Sequence, residues 1–424
     1  MITLHPIPET THSCPYCQTL LTSVGWHIPG MRNLADLQCS ECQREFYGDL
    51  PSGQGLYTPM LLEKSTGVVH DPYNVVWFAE WLKNSYAARV DTPIPFEVQQ
   101  KSLINRHVVI LNCLDTLYGH SLLKLLNAQY YLDRRNDIDL IIIAPRNLEW
   151  MIPEGVAEAW VVDLPLSRGT EWNEWLAREI HRRVKAFPAA SLSVAFSHPH
   201  PRDFQIERFT RVKPFPLDEW STQMDHPVVT FIWREDRLWL SDSNEVSRPF
   251  EKIARVLNGP AVNGPGAVKL QAQLVIKLEN FLRQMWPSLD FAVVGMGQTH
   301  RMPGSINDLR QTSINSDIER KWCQRYASSH VVVGVHGSNM LLPSAHAGSV
   351  VELLGQERWG NFLQDILFQD VDSRETLFRY RFLPDTTSAE TLAQLLSSLM
   401  LTLPKFRALM GRDACDHQVF QSPG

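Results

Sequence analysis

The stretch Val331–Met340, VVVGVHGSNM, decides the reading of the fold. Its apolar run reads as a strand buried on both faces, the mark of a parallel sheet, and it stops abruptly at His-Gly-Ser-Asn. Open α/β sheets hold ligands beyond the carboxyl ends of their strands. The residues to watch are therefore His336, Gly337, Ser338 and Asn339. Gly337 lets the backbone approach a ligand closely, and Ser338 and Asn339 open a following helix whose first N–H groups favour an anion, a diphosphate being the natural occupant. The alternative is a tight turn in which His336 merely caps or packs.

Upstream, SDIERKWCQRYASS is a helix with its own start signal, a capping box of Ser316 and Glu319. The alternation VVTFIWRED, VKLQAQLVIKLENFLRQMW, DFAVVGMGQ, then the quoted strand, SVVELLG and LFRYRFL repeats strand and helix. An earlier alternation runs through HVVILNC, GHSLLKLLNAQYYLDRR, DIDLIIIAP, AWVVDLP, WNEWLAREIHRRVKAF and SLSVAF. The expected fold class is therefore α/β, with two Rossmann-like lobes preceded by a small zinc ribbon and a deep cleft between the lobes. The expected segments are the ribbon at 1–60, a Rossmann-like acceptor lobe at 61–215, a Rossmann-like nucleotide lobe at 216–384, and a closing helix and tail at 385–424. The Pro-rich, charged stretch SHPHPRDFQIERFTRVKPFPLDEW reads as the connection between lobes.

The ribbon rests on cysteine spacing. CPYC (Cys14, Cys17) and CSEC (Cys39, Cys42) are two knuckles separated by about twenty residues, the arrangement of four thiolates around a structural Zn2+. Cys113, Cys323 and Cys415 are scattered and read as incidental thiols. Reduced thiolates suit a cytoplasmic location. The N-terminus MITLHPIPETTHSC has neither a basic nor an apolar leader region, and no run reaches 18 apolar residues, so neither signal peptide nor transmembrane segment is expected. A formal net charge of -6 argues against a protein that wraps nucleic acid.

Further candidates sit at other strand ends. Arg234, in TFIWRED, has a planar fork suited to a phosphoryl group and to the charge on a departing diphosphate, against the alternative of an ion pair with Glu235 or Asp236. In GMGQTHRMPG, the glycines and Gln298 form a candidate wall for a base. NCLDTLYGHSLL places Asp115, Tyr118, Gly119 and His120 between strand and helix. Gly119 gives the backbone room near a ligand, while His120 or Asp115 serves as proton acceptor, against the alternative that they only cap the helix. His198 and His200 read as structural.

The segment VVVGVHGSNMLLPSAHAGSVVEL, 331–353, resembles the GT-B glycosyltransferases whose HG[AS] turn is followed by a small-residue helix and an apolar strand ending in Glu-Leu. Protein and polysaccharide xylosyl-, N-acetylglucosaminyl- and fucosyltransferases have this form. The resemblance extends to FIWRED, and more weakly to LYGHSLLKLLNA; the ribbon lies outside it. It implies a phosphate role for Arg234, with Arg237 in reserve, and a ribose role for Glu352. The implied function is transfer of a sugar from a nucleotide-diphosphate donor to a hydroxyl on a glycan, protein or small molecule. The absence of an early DxD and the presence of Arg234 lead us to expect no catalytic metal. The alternatives are a nucleotide-sugar epimerase and a non-catalytic scaffold whose zinc ribbon binds nucleic acid or protein, the low net basicity counting against nucleic acid.

Overall fold

The computed structural model describes residues 1–240, 265–368 and 373–409, so Cys415 lies outside the described residues. It divides into two compact units, Met1–Phe209 and Thr210–Gly424. Among the described residues, no helix is long and apolar enough to cross a membrane.

The first unit contains two sheets. A six-stranded sheet has the order β1(Ile2–His5)-β11(Ala190–Leu192)-β8(His107–Asn112)-β9(Ile138–Pro145)-β10(Glu158–Val162)-β7(Phe96–Gln100). Its four central strands are parallel, and β1 and β7 flank them antiparallel. The second sheet is antiparallel and runs β2(Thr22–His27)-β3(Leu34–Gln38)-β4(Glu45–Asp49)-β5(Leu61–Glu63)-β6(Val69–His70).

The Cys-rich segment is not a separate body. Trp26, Leu37 and Phe46 join Ile110, Ile141 and Trp160 in one continuous apolar cluster, while Leu34 and Leu62 meet Phe78 and Leu82 of the helix Val76–Ala87 in a smaller one. Burying both faces of a five-stranded ribbon sheet supplies the core that a stretch of this length lacks alone. The expected single helix after β8 is two helices, Tyr118–Leu126 and Ala128–Arg134. Asn127 sits at the break, donating to the Leu123 and Lys124 carbonyls and to that of Phe196.

The second unit has one sheet, β14(Asn307–Asp308)-β13(Asp290–Gly295)-β12(Val228–Trp233)-β15(Val331–Val335)-β16(Ser349–Leu354)-β17(Tyr380–Pro384), parallel throughout. Numbered within the unit, the order is 3-2-1-4-5-6, that of a doubly wound sheet. The helices Pro265–Met285 and Ala389–Leu409 contribute Val275, Leu278, Leu392 and Leu396 to a core shared with Phe231, Val293 and Val333. The final helix thus belongs to the core of this unit. The helix before β15 starts one residue earlier than the expected cap: Asn315 accepts from the Ile318 amide at 3.0 Å, and Ser316 is already helical.

Candidate functional site

Strand order in the second unit reverses between β12 and β15, so their carboxyl ends flank the crevice where a doubly wound sheet holds its ligand. β12 hands the chain to Arg234, and β15 hands it to His336. The two meet. One edge of Arg234 pairs with Asp236, Nε to Oδ1 at 2.8 Å, so the anticipated ion pair is real. Its Nη1 reaches the other way, donating to Asn339 Oδ1 and lying 3.4 Å from the His336 carbonyl. Arg237 donates to that carbonyl at 3.0 Å. Burial, with Arg234 and Arg358 nearby, pulls the Arg237 guanidinium below its usual value. The crevice therefore gathers two guanidiniums on one turn, with Arg358 close enough to act on one of them.

Gly337 makes that gathering possible. Its φ of +144° lies where side chains are strained, and a Cβ would stand 2.4 Å from Arg234 Nη1 and 2.9 Å from Arg237 Nη1. The helix expected to start at Ser338 is a single 3-10 turn, Ser338–Met340, followed by the short helix Leu341–His346. The positive field at this turn thus comes from guanidiniums rather than from a helix dipole. Ser338 is exposed and Asn339 half-buried beside them.

Below the turn the chemistry changes. His336 and Glu352 are buried, with Nδ1 2.7 Å from Glu352 Oε2. The Tyr380 hydroxyl donates to Glu352 Oε1 at 2.6 Å. Asp365 brings Oδ2 within 3.4 Å of the same Nδ1. Burial raises the Glu352 carboxyl, and burial together with Glu352 pushes Asp365 up to about 7. The ribose role implied for Glu352 does not fit this placement: the residue is fully buried and each carboxylate oxygen already has a partner.

Gln298 donates to the Arg310 carbonyl at 2.6 Å, at the end of β13. Its loop is tied to the end of β12 because Glu235 accepts from the Thr299 amide at 3.1 Å and from the Trp233 indole at 3.2 Å.

In the first unit, strand order reverses between β8 and β11. Asp115 is buried there, 2.8 Å from Lys124 Nζ and 3.4 Å from His120 Nδ1, and accepts from the Leu117 amide at 3.2 Å. Although burial works to raise its carboxyl, Lys124 and His120 hold it far below the usual carboxylate range. A carboxylate so strongly held ionised is a poor proton acceptor, and His120, partly exposed, is the better placed of the two. Gly119 is buried in the first turn of the helix Tyr118–Leu126. His200 accepts from the Arg202 amide at 3.1 Å and caps a turn, the structural role expected of it; His198 Nδ1 lies 3.4 Å from Ser197 Oγ.

Much of this crevice is occupied from within the unit, while His120 stays partly exposed. Asn112, at the end of β8, donates to the Gly30 carbonyl and to Asn33 Oδ1, both at 2.9 Å. Ser52 Oγ donates to the Ser193 carbonyl at 2.9 Å, and the Gly53 amide donates to that of Val194 at 2.8 Å. Behind them Arg32 makes a buried two-pronged pair with Asp49.

Cys14, Cys17, Cys39 and Cys42 bring their sulfurs within 4.8 Å of one another, with Cys14 to Cys42 at 3.6 Å and Cys17 to Cys39 at 3.4 Å. Tetrahedral zinc with bonds of about 2.3 Å needs sulfurs roughly 3.8 Å apart. The knuckles are twins: in each, the residue after the second cysteine, Gln18 or Gln43, has positive φ and returns its amide to the carbonyl of the first. The donor set and its spacing fit a structural zinc ion, held by these four thiolates.

Asp365 and Tyr380 were not legible as site residues. Tyr380 lies within the recognised strand LFRYRFL, and Asp365 in FLQDILFQD, which carries no motif. No protein-family model matches the chain, and no curated protein matches it. Among solved structures it is similar to E. coli ADP-heptose LPS heptosyltransferase II, with 12% identity and a TM-score of 0.36 over 70% of this chain and 99% of that one. It is also similar to E. coli heptosyltransferase WaaC with ADP, with 11% identity and a TM-score of 0.38 over 70% of this chain and 100% of that one. Likeness at this level carries no argument about the reaction.

Proposed function

We propose that this chain is a glycosyltransferase of the two-lobed, Rossmann-like kind, moving a sugar from a nucleotide-diphosphate donor to a hydroxyl acceptor. The observation that carries the reading is the convergence of Arg234 and Arg237 on the His336–Gly337 turn, at the strand-order reversal of the second unit. A diphosphate carries its charge on several oxygens. Forked guanidiniums held by Asp236 and the turn carbonyl can meet them without reorganising, and can stabilise the further charge that develops as the diphosphate leaves.

In this reading Ser338 and Asn339 line the phosphate turn, Gln298 belongs to the wall against the base, and His120 accepts the acceptor's proton while Asp115 orients it. Gly119 leaves room beside the sugar. Electrostatic work assigned to arginines requires no catalytic metal, and the zinc of the Cys-rich segment is structural. The reading places the chain in the cytoplasm, where zinc-holding thiolates stay reduced.

Titration calorimetry with UDP, GDP, ADP, dTDP and CMP tests the donor class. One of the diphosphates binds wild-type protein, and binding falls in Arg234→Ala and Arg237→Ala. Failure of every nucleotide to bind folded protein overturns the reading.

A further inference from the structure

We propose that Asp365 and Tyr380 are positioning residues of the phosphate turn, acting with Glu352 to lock His336 in the tautomer that carries its proton on Nδ1. The inference rests on the anion-site reading above and names residues that reading did not include.

Three elements converge on the His336–Glu352 pair. Glu352 comes from β16, Tyr380 from the start of β17, and Asp365 from the segment between them, while Arg234 and Arg237 meet the backbone carbonyl of His336 from the end of β12. Nδ1 faces two carboxylate oxygens, Glu352 Oε2 at 2.7 Å and Asp365 Oδ2 at 3.4 Å. A carboxylate oxygen accepts, so the hydrogen between Nδ1 and Glu352 belongs to the ring, and in the neutral imidazole Nε2 is left without a proton. Tyr380 fixes the far oxygen of Glu352 and so fixes the angle of the near one.

Asp365 is itself held in place. Ser344 Oγ donates to its backbone carbonyl at 2.5 Å. Its Oδ2 is buried and makes no hydrogen bond of ordinary length, which leaves the His336 ring as the group it faces. The residue whose carbonyl receives the two arginines is thus held by its ring from beneath.

His336, Glu352 and Asp365 also form a donor set that a metal ion could use. The 2.7 Å contact is a direct hydrogen bond, whereas ligands sharing an ion at bond lengths of about 2.1 Å stand roughly 3 Å or more apart. The proton is therefore the better occupant, and a metal becomes an outcome of the test.

The test is nitrogen-15 NMR of the histidine rings in the full-length protein, with His336 assigned by the signal missing from His336→Gln, beside calorimetry with inorganic pyrophosphate. Wild-type protein at pH 7.5 shows Nδ1 protonated. Asp365→Asn and Tyr380→Phe, folded by circular dichroism, show mixed tautomers and bind pyrophosphate about three- to tenfold more weakly. An unprotonated Nδ1 in wild-type protein overturns the proposal, and this arm needs no variant to fold. Variants unchanged in both tautomer and affinity overturn it too, as does a stoichiometric metal lost in His336→Gln. A wild-type Nδ1 proton and shifted tautomers without pyrophosphate binding sustain the lock and defeat the anion-site reading instead.

Discussion

The two units place the reversal of strand order at the same point, between the first and fourth parallel strands, yet treat the resulting crevice in opposite ways. In the first, the Cys-rich segment inserts Ser52 and Gly53 against the carbonyls of Ser193 and Val194, and Lys124 settles its charge on Asp115. In the second, the strand ends carry guanidiniums that share a turn carbonyl. Topology supplies a crevice in both cases. Side chains decide whether it is largely occupied from within or, in the reading proposed above, left to an anion.

The comparison is broken most severely by removing metal. Chelation, or Cys39→Ser, should unfold the Cys-rich sheet, since structural zinc contributes on the order of 10 kcal/mol to segments of this kind. Zinc release measured against loss of near-ultraviolet dichroism checks this, with one equivalent of zinc expected from the four thiolates. Next in size is Lys124→Met, which leaves Asp115 buried without its main partner. A loss of roughly 3–5 kcal/mol of stability is expected in urea unfolding, with diphosphate affinity unchanged. An altered affinity would show that the largely occupied crevice also serves the anion.

Gly337→Val should weaken diphosphate binding at least 100-fold in calorimetry while protein remains folded, because its Cβ enters the space of both guanidiniums. Arg234→Ala should cost about tenfold, because Arg237 and Arg358 remain.

The smallest effect separates the units by sign. Asp115 is depressed, so its contribution to stability is present above the unfolded carboxylate pKa of about 4 and is lost as pH falls toward the folded value. Asp365 is raised to about 7, so the folded state holds its proton longer, and its contribution is lost as pH rises from about 4 to 7. Asp115→Asn should flatten the acid limb of a stability profile, and Asp365→Asn the neutral one.

Much of the framework was legible because buried parallel strands are written as continuous apolar runs. HVVILN, DLIIIAP and VVVGV needed no further context. The edge strands ITLH and FEVQQ were not found, since a short strand with polar alternation differs little from a loop. Arg234 and His336 could be placed together because each follows directly from a strand end. The inward turn of Glu352 could not be read: in SVVELL every residue is buried, so alternation gives no outer face from which to orient a carboxylate. Asp115 was read as a possible base because its partner Lys124 lies nine residues away, across two turns of a helix.

The sheet edges carry one more consequence. An unpaired strand invites another chain to add to it. β7, with Glu97, Gln99 and Gln100, closes one side of the first parallel set, while in the second unit β14 is only two residues long and β17 ends in Pro384. Polar, brief or proline-terminated borders offer little template for a neighbour's backbone. At high concentration these borders should therefore resist growth by strand addition, even though the strands they flank are the Val- and Ile-rich runs that such growth favours.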